Sequence, residues 1–306
     1  MNGFVLPVDK PESWTSHDAV QRLRRILETR EVGHAGTLDP FATGILACGV
    51  GRGTKILSYL LDLPKEYVGT LRLGRVTDSG DRTGKVLREE AVGPVDLERA
   101  REVAVEFVGR REQVPPMTSA LKRNGRRLYQ LARKGIEVER EPRLVAIHRF
   151  EILDREADRI RFAILCGRGT YIRTLIADFG ERLGPGASVE TLRRTKVGPL
   201  STDGAVDLEG PDDRVRAACA AKRIPLAQAL AHLPSLVLRP DWIRRIRNGI
   251  QPPWRAVERG TPERGCLFRL VGPEGELVAV ARRREVPGPI DGPAGTEGEL
   301  RLERVF

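Results

Sequence analysis

Gly33-His34-Ala35-Gly36-Thr37-Leu38-Asp39-Pro40-Phe41-Ala42-Thr43-Gly44 is the stretch around which the rest of the chain is organised. Its only acid, Asp39, is followed by Pro40, which fixes φ beside it. The three glycines supply positive φ or let another backbone come close. An Asp-Pro pair after such a loop has two readings. In one, Asp39 caps a helix that has Pro40 at its first position. In the other, a carboxylate is held on a stiff loop for chemistry. The second gains weight from its company: a histidine, His34, just upstream in a chain with only four, and glycine on each side.

A chain of 306 residues is long enough for one sizeable core and a second, smaller domain. Its 52 Lys+Arg against 42 Asp+Glu give a net charge of +10. That excess points to a polyanionic partner, nucleic acid before membrane. No apolar run approaches membrane-spanning length. Met1-Asn2-Gly3-Phe4 lacks the basic and apolar regions of a signal peptide. Cys48, Cys166, Cys219 and Cys266 show no C-x-x-C spacing, and the histidines do not cluster. Neither a disulfide framework nor a metal site is expected, and a cytoplasmic location fits.

Along the chain, Phe4–Val8 reads as a strand, and Ser16 as the N-cap of a helix with Val20, Leu23, Ile26 and Leu27 on one face. Lys10 is either a solvated loop lysine or a support for the Asp39 loop. Ile45–Val50 is apolar, and Gly51-Arg52-Gly53-Thr54-Lys55 follows. A dinucleotide fingerprint needs glycine where Thr54 stands, and a P-loop needs Gly-Lys-Ser/Thr, so both are rejected and no cofactor is expected. Lys65–Gly74 alternates as a strand and carries Tyr67, a residue type that packs in cores or rims more often than it binds. Thr77–Asp81 reads as a turn whose acids order RNA-contacting loops or simply make the turn. Asp96 caps a further helix.

Ser119–Arg140 carries seven basic residues against two acidic ones, a net +5, with a helical centre at Leu128, Leu131 and Ala132. Such a run is usually a solvated face, but its place inside the main domain suits an RNA-gripping insertion. Asp158–Cys166 alternates as a strand. After it, Ile172, Leu175, Ile176, Phe179 and Leu183 keep helical spacing, and Gly184 suits the helix end. Arg173 lies beside that apolar stripe, where a surface ion pair is the plain reading. Composition changes after Leu233. There a short helix ends near Gly249, and two strand-like runs flank Gly272-Pro273-Glu274-Gly275, a hairpin signal. Leu300–Phe306 suits the closing strand of a small barrel.

The stretch from Gly33 to Gly44 resembles the catalytic motif of the TruB family of tRNA pseudouridine synthases. So do Asp9-Lys10-Pro11 with Thr15-Ser16, Gly169-Thr170-Tyr171-Ile172-Arg173 and Leu192-Arg193-Arg194-Thr195-Lys196-Val197-Gly198. Two departures are Ser13, where many relatives carry glycine, and Arg168, where lysine is commoner. The resemblance implies an α/β catalytic domain with a mixed, largely antiparallel sheet over 1–232. It also implies a PUA-like RNA-binding β-barrel over 233–306. The implied reaction is cofactor-free isomerisation of uridine to pseudouridine at nucleotide 55, in the T-arm loop of tRNA, by a monomer. Asp39 is the implied catalytic carboxylate, Arg173 its partner, and Tyr67 the ring that stacks on the flipped base. Tyr171 sits under that base, Leu192 lines the pocket and His34 fills the vacated stack. Ser119–Arg140 resembles the thumb loop of bacterial members, so Arg123, Arg126 and Arg127 are expected on RNA. Two rivals are a guide-RNA-dependent ribosomal enzyme and a tRNA-binding or tRNA-folding protein without essential catalysis.

Overall fold

The structure is a computed structural model of the chain. It describes residues 3–93, 96–119, 121–123, 125–132, 134–260, 266–283 and 300–306. The apolar run after the Asp39 loop becomes a strand buried almost throughout, because neighbours cover both of its faces. In chain order the first elements are β1 (Phe4–Lys10), α1 (Ser16–Ile26), β2 (Val32–His34) and β3 (Thr43–Val50). Next come α2 (Leu57–Leu61), β4 (Lys65–Leu73), β5 (Arg75–Thr77), β6 (Val86–Glu89), α3 (Leu97–Glu106) and β7 (Gly109–Gln113). A two-stranded ribbon, β8 (Lys122–Arg123) with β9 (Arg126–Arg127), leads into α4 (Leu128–Ala132). Then follow β10 (Arg143–Glu156), β11 (Arg159–Cys166), α5 (Ile172–Leu183), β12 (Ala187–Val197), β13 (Leu200–Ser201), β14 (Val206–Asp207), α6 (Asp212–Ala221), β15 (Ile224–Pro225) and α7 (Leu226–Ala229).

The main sheet runs β14-β1-β3-β12-β4-β11-β10-β7, with β2, β13 and β15 paired at its side. Only β1 with β14 and β3 with β12 are parallel; the sheet is mixed and largely antiparallel, as expected. Helices α3 and α5 cover one part of it. There Phe107, Phe150, Phe162 and Phe179 meet edge-to-face or tilted, with centroids 5.2–6.3 Å apart, geometries that suit the ring quadrupole. Helices α1 and α6 cover β1 and β3.

The last part of the chain forms β16 (Ser235–Leu238), α8 (Pro240–Arg247), β17 (Val257–Arg259), β18 (Leu267–Val271), β19 (Leu277–Arg283) and β20 (Leu300–Val305). Its five strands run β17-β16-β18-β19-β20. The hairpin at Gly272–Gly275 forms where expected, and Gly249 follows α8 at φ 84°. Leu300–Val305 joins β19 as the outer strand; among the described residues it makes no pairing back to β17. Leu277, Val280 and Phe306 pack into one cluster with Leu60, Leu226 and Leu230, so this sheet is seated on the first by apolar burial.

Three local readings change. The N-cap of α1 is Thr15, not Ser16. Thr15 accepts from the Asp18 amide, and the Asp18 carboxylate accepts from the Thr15 amide, a capping box. Asp39 starts no helix: a tight turn, Ala42 N–H to the Asp39 carbonyl at 3.1 Å, returns the chain into β3. Arg173 is not on the surface; its side chain is 4% exposed. Ser13 sits at φ 68° and donates to the Pro40 carbonyl at 2.8 Å. That conformation suits glycine better than serine.

Gly44 has φ 101°, and a Cβ there would overlap the backbone carbonyl of Arg194 on β12. Gly44→Ala therefore combines backbone strain with a clash that only backbone movement relieves. The expected outcome is a loss of at least about 1–3 kcal/mol, read as a lower Tm than that of Gly204→Ala, where a Cβ meets open space.

Candidate active site

The Asp39 loop links β2 to β3, and the N-terminus of α5 approaches it from across the sheet. Arg173, the second residue of α5, grips the Asp39 carboxylate with two parallel bonds, Nε to Oδ2 at 2.8 Å and Nη2 to Oδ1 at 3.1 Å. This fork-on-carboxylate geometry fixes orientation as well as charge. Nη1 donates to the Ser79 carbonyl at 2.8 Å and the Thr118 hydroxyl at 2.5 Å, and Nη2 to the Thr118 carbonyl at 3.0 Å. All donors of the guanidinium are thereby used. Asp81, buried, puts Oδ2 3.6 Å from Nη1, while its Oδ1 accepts from the amide and hydroxyl of Thr83.

The Asp39 side chain, though held through both oxygens, keeps a third of its surface open. Burial pushes its carboxyl above the ordinary value; Arg173 opposes that, Asp81 adds to it and Lys10 opposes it. The consequence has a definite sign. Ionised Asp39 lowers stability, an effect present at neutral pH that disappears as the pH falls below the unfolded-state value of about 4.

Tyr67 on β4 and Leu192 on β12 share a buried cluster with Leu38, Phe41 and Ile172. Tyr67 is 8% exposed, and burial raises its phenol, so it is a neutral ring at working pH. Tyr171 caps α5 from outside; Gln113 Oε1 accepts its amide at 2.8 Å and Gln113 Nε2 donates to its carbonyl at 3.0 Å. Burial raises the Tyr171 phenol, and the nearby cations Arg143 and Arg173 oppose this. Lys10 is fully buried, not solvated. Its Nζ donates to the carbonyls of Pro11 (2.8 Å), Trp14 (2.6 Å) and Pro40 (3.3 Å), and burial lowers it to about 8. It therefore holds the residue after Asp39.

His34 ends β2 at the mouth of the loop. Its Nδ1 has no hydrogen-bond partner among the described residues, and burial with nearby Arg194 lowers its pKa, which keeps the ring neutral. Arg123, Arg126 and Arg127 lie on the β8–β9 ribbon, which follows shortly after Thr118; their side chains lie outside the described residues. Asp39, Arg173, Tyr67, Tyr171, Leu192 and Lys10 are thus brought together. Sequence reasoning missed Thr118, Gln113, Ser16 and Arg194, and read Asp81 as an acid that makes the turn or orders an RNA-contacting loop, not as a neighbour of Arg173. Each acts through a contact with a residue remote in the chain.

The sequence model of the "TruB family pseudouridylate synthase (N terminal domain)" matches residues 24–172, and that of the "tRNA pseudouridylate synthase B C-terminal domain" matches 173–233. A "tRNA pseudouridine synthase B" of Geobacter sulfurreducens is 42% identical over all of both chains. One of Syntrophotalea carbinolica is 39% identical over all of this chain and 98% of its own. The fold is similar to that in the crystal structure of a Cbf5-Nop10-Gar1 complex, at a TM-score of 0.76 and 26% identity over 99% of this chain and 84% of that one. The architecture is the pseudouridine synthase fold. The chain belongs to the TruB family.

The Asp39 carboxyl should titrate above about 4 when followed by NMR of 13C-labelled aspartate. In Arg173→Lys it should titrate higher still, because the planar fork that favours the carboxylate is gone. A lower value in the variant would contradict this account of the site.

Proposed function

We propose that this enzyme isomerises uridine 55 in the T-arm loop of tRNA, with Asp39 as the catalytic carboxylate. The observation that carries the reading is the two-bond grip of buried Arg173 on a partly open Asp39, beside a wall of Tyr67 and Leu192. The names of the full-length relatives support tRNA as substrate. The Ser119–Arg140 charge and the ribbon in it favour direct tRNA binding over guide-RNA dependence.

A base stacked in a folded loop must first leave the stack, at about a few kcal/mol. Tyr67 stacks on the flipped uracil, worth about 1–3 kcal/mol, with Tyr171 beneath it and Leu192 at its edge. His34, neutral, fills the space left behind, and Lys10 holds the loop. Asp39 then adds to the ribose or the base, or takes a ribose proton; each route starts from the carboxylate form that Arg173 orients. The N1–C1′ bond breaks, the uracil turns, C5–C1′ forms, and the C5 proton leaves to solvent. No step calls for a cofactor. A glycosidase would need a second carboxylate in a pair with Asp39. Asp81 is instead buried behind Arg173.

The domain reading is 1–232 for catalysis and 233–306 as a PUA-like RNA-binding unit, supported by the five-stranded sheet with its own core. All residues of the site come from one chain, which supports action as a monomer. The free cysteines support the reducing cytoplasm. No described helix is long and apolar enough to cross a membrane.

Asp39→Asn keeps the loop shape and removes the reacting group. It should release no tritium from C5-labelled uridine in an unmodified tRNA transcript while binding that tRNA within a few-fold of wild type. Multiple turnover by this variant would falsify the assignment. The thumb reading has its own test, a binding titration across salt concentrations. Replacing Arg123, Arg126 and Arg127 with alanine should flatten the salt dependence by about two to three units, roughly 0.7–0.9 per lost phosphate contact. Parallel slopes would leave the insertion as a solvated charged face.

A further inference from the structure

Arg194 is the bulkiest fully buried side chain among the described residues, and no described carboxylate pairs with it. A guanidinium stays charged in such a place, so its burial has to be offset by specific contacts. Its three backbone hydrogen bonds go to carbonyls of the Asp39 loop and the strand after it, and its charge also bears on the Tyr67 hydroxyl. Nε donates to Ile45 at 2.7 Å, Nη2 to Gly36 at 3.0 Å and Nη1 to Thr37 at 3.5 Å. The next peptide is held from the opposite side by Ser16, also buried. Its Oγ accepts from the Leu38 amide at 2.9 Å and donates to the Leu38 carbonyl at 3.1 Å. Lys10 and the Ser13 amide take the Pro40 carbonyl.

The backbone on both sides of Asp39 is therefore tied down residue by residue, while the Asp39 side chain alone answers to Arg173. On β12 the preceding residue, Arg193, points to the other face, where it pairs with Asp9 and touches the Thr43 hydroxyl. Strand alternation thus sends two adjacent arginines to opposite sides of the same loop-and-strand segment. The Gly44 backbone approach to Arg194 sets the depth at which this happens.

We propose that Arg194 and Ser16 are positioning residues for catalysis: together they clamp the Gly36–Leu38 backbone so that the Asp39 carboxylate meets both the Arg173 fork and the substrate. The inference rests on Asp39 being the reacting group. Neither residue touches substrate in this account. Their effect is on where Asp39 stands, and misplacement by about 1 Å can lower a rate about a hundredfold. Arg194→Lys keeps the charge but cannot span three carbonyls; Ser16→Ala removes both contacts to Leu38 with little change in volume.

The test uses full-length wild type, Ser16→Ala, Arg194→Lys and Asp39→Asn with unmodified tRNA. Single-turnover tritium release is measured across pH, alongside tRNA binding. The groups facing Asp39 are Arg173, Asp81, Lys10, Tyr67 and Tyr171; none is substituted in the two clamp variants, and Ser16→Ala also keeps the Arg194 charge that acts on Lys10 and Tyr67. Expected are rates about tenfold lower for Ser16→Ala and about a hundredfold lower for Arg194→Lys, with tRNA binding within threefold. The acid limb of the rate should move to higher pH in both, because a carboxylate that slips from the fork is protonated more readily. A contact that served only stability would leave that limb in place. An unmoved limb in Ser16→Ala, with Asp39→Asn inactive, overturns the inference and leaves the catalytic assignment standing; this arm decides even if Arg194→Lys does not fold. Turnover by Asp39→Asn sinks both.

Discussion

One guanidinium holds the site together. Arg173 reaches the Asp39 loop, the turn after β5 and the segment before the ribbon at once, and each of its donors is used. Removing any one of those partners leaves a buried donor or charge less satisfied, which is why the three segments stand or fall as a set. The arrangement also sets two opposed effects on the Asp39 carboxyl. The fork opposes the effect of burial, and a third of the side chain stays open.

Buried cations gather beneath the loop. Lys10, Lys65 and Arg194 each donate to backbone carbonyls, and burial lowers both lysines to about 8. Their charges oppose one another, so the fold is not made tighter by their electrostatics. What they supply is an ordered set of donors for carbonyls that β2, β3 and α2 leave unpaired at their ends. A loop backbone held at Gly36, Thr37, Leu38 and Pro40 keeps the Asp39 side chain in place.

The sequence made the strands and the long helices legible because their apolar periods are local. Thr43–Val50 and Lys65–Leu73 announce themselves, and α5 keeps its stripe from Ile172 to Leu183. The motif around Asp39 was legible as a resemblance and, on residues alone, as either a helix cap or a held carboxylate. What decides between these is Arg173, whose sequence neighbours give no sign that it is buried. Ser16 looked like a cap because serine before an apolar stripe usually is one. In fact Thr15 takes the cap, and the Ser16 hydroxyl turns inward to Leu38, a contact across the fold that no local pattern encodes. Arg194 follows Arg193 in a polar stretch, Arg193-Arg194-Thr195-Lys196, yet alternation along β12 buries it. The same holds for Asp81 and Thr118, which matter only once α5 is docked.

The central claim is that this single chain, unaided by guide RNA, converts one uridine of the tRNA T-arm loop. The most direct measurement is site mapping. An unmodified tRNA transcript is incubated with purified protein alone, and pseudouridine is located by carbodiimide labelling and primer extension. The account predicts a single new stop, at nucleotide 55. No stop there, or one that appears only when a guide RNA is added, would contradict it.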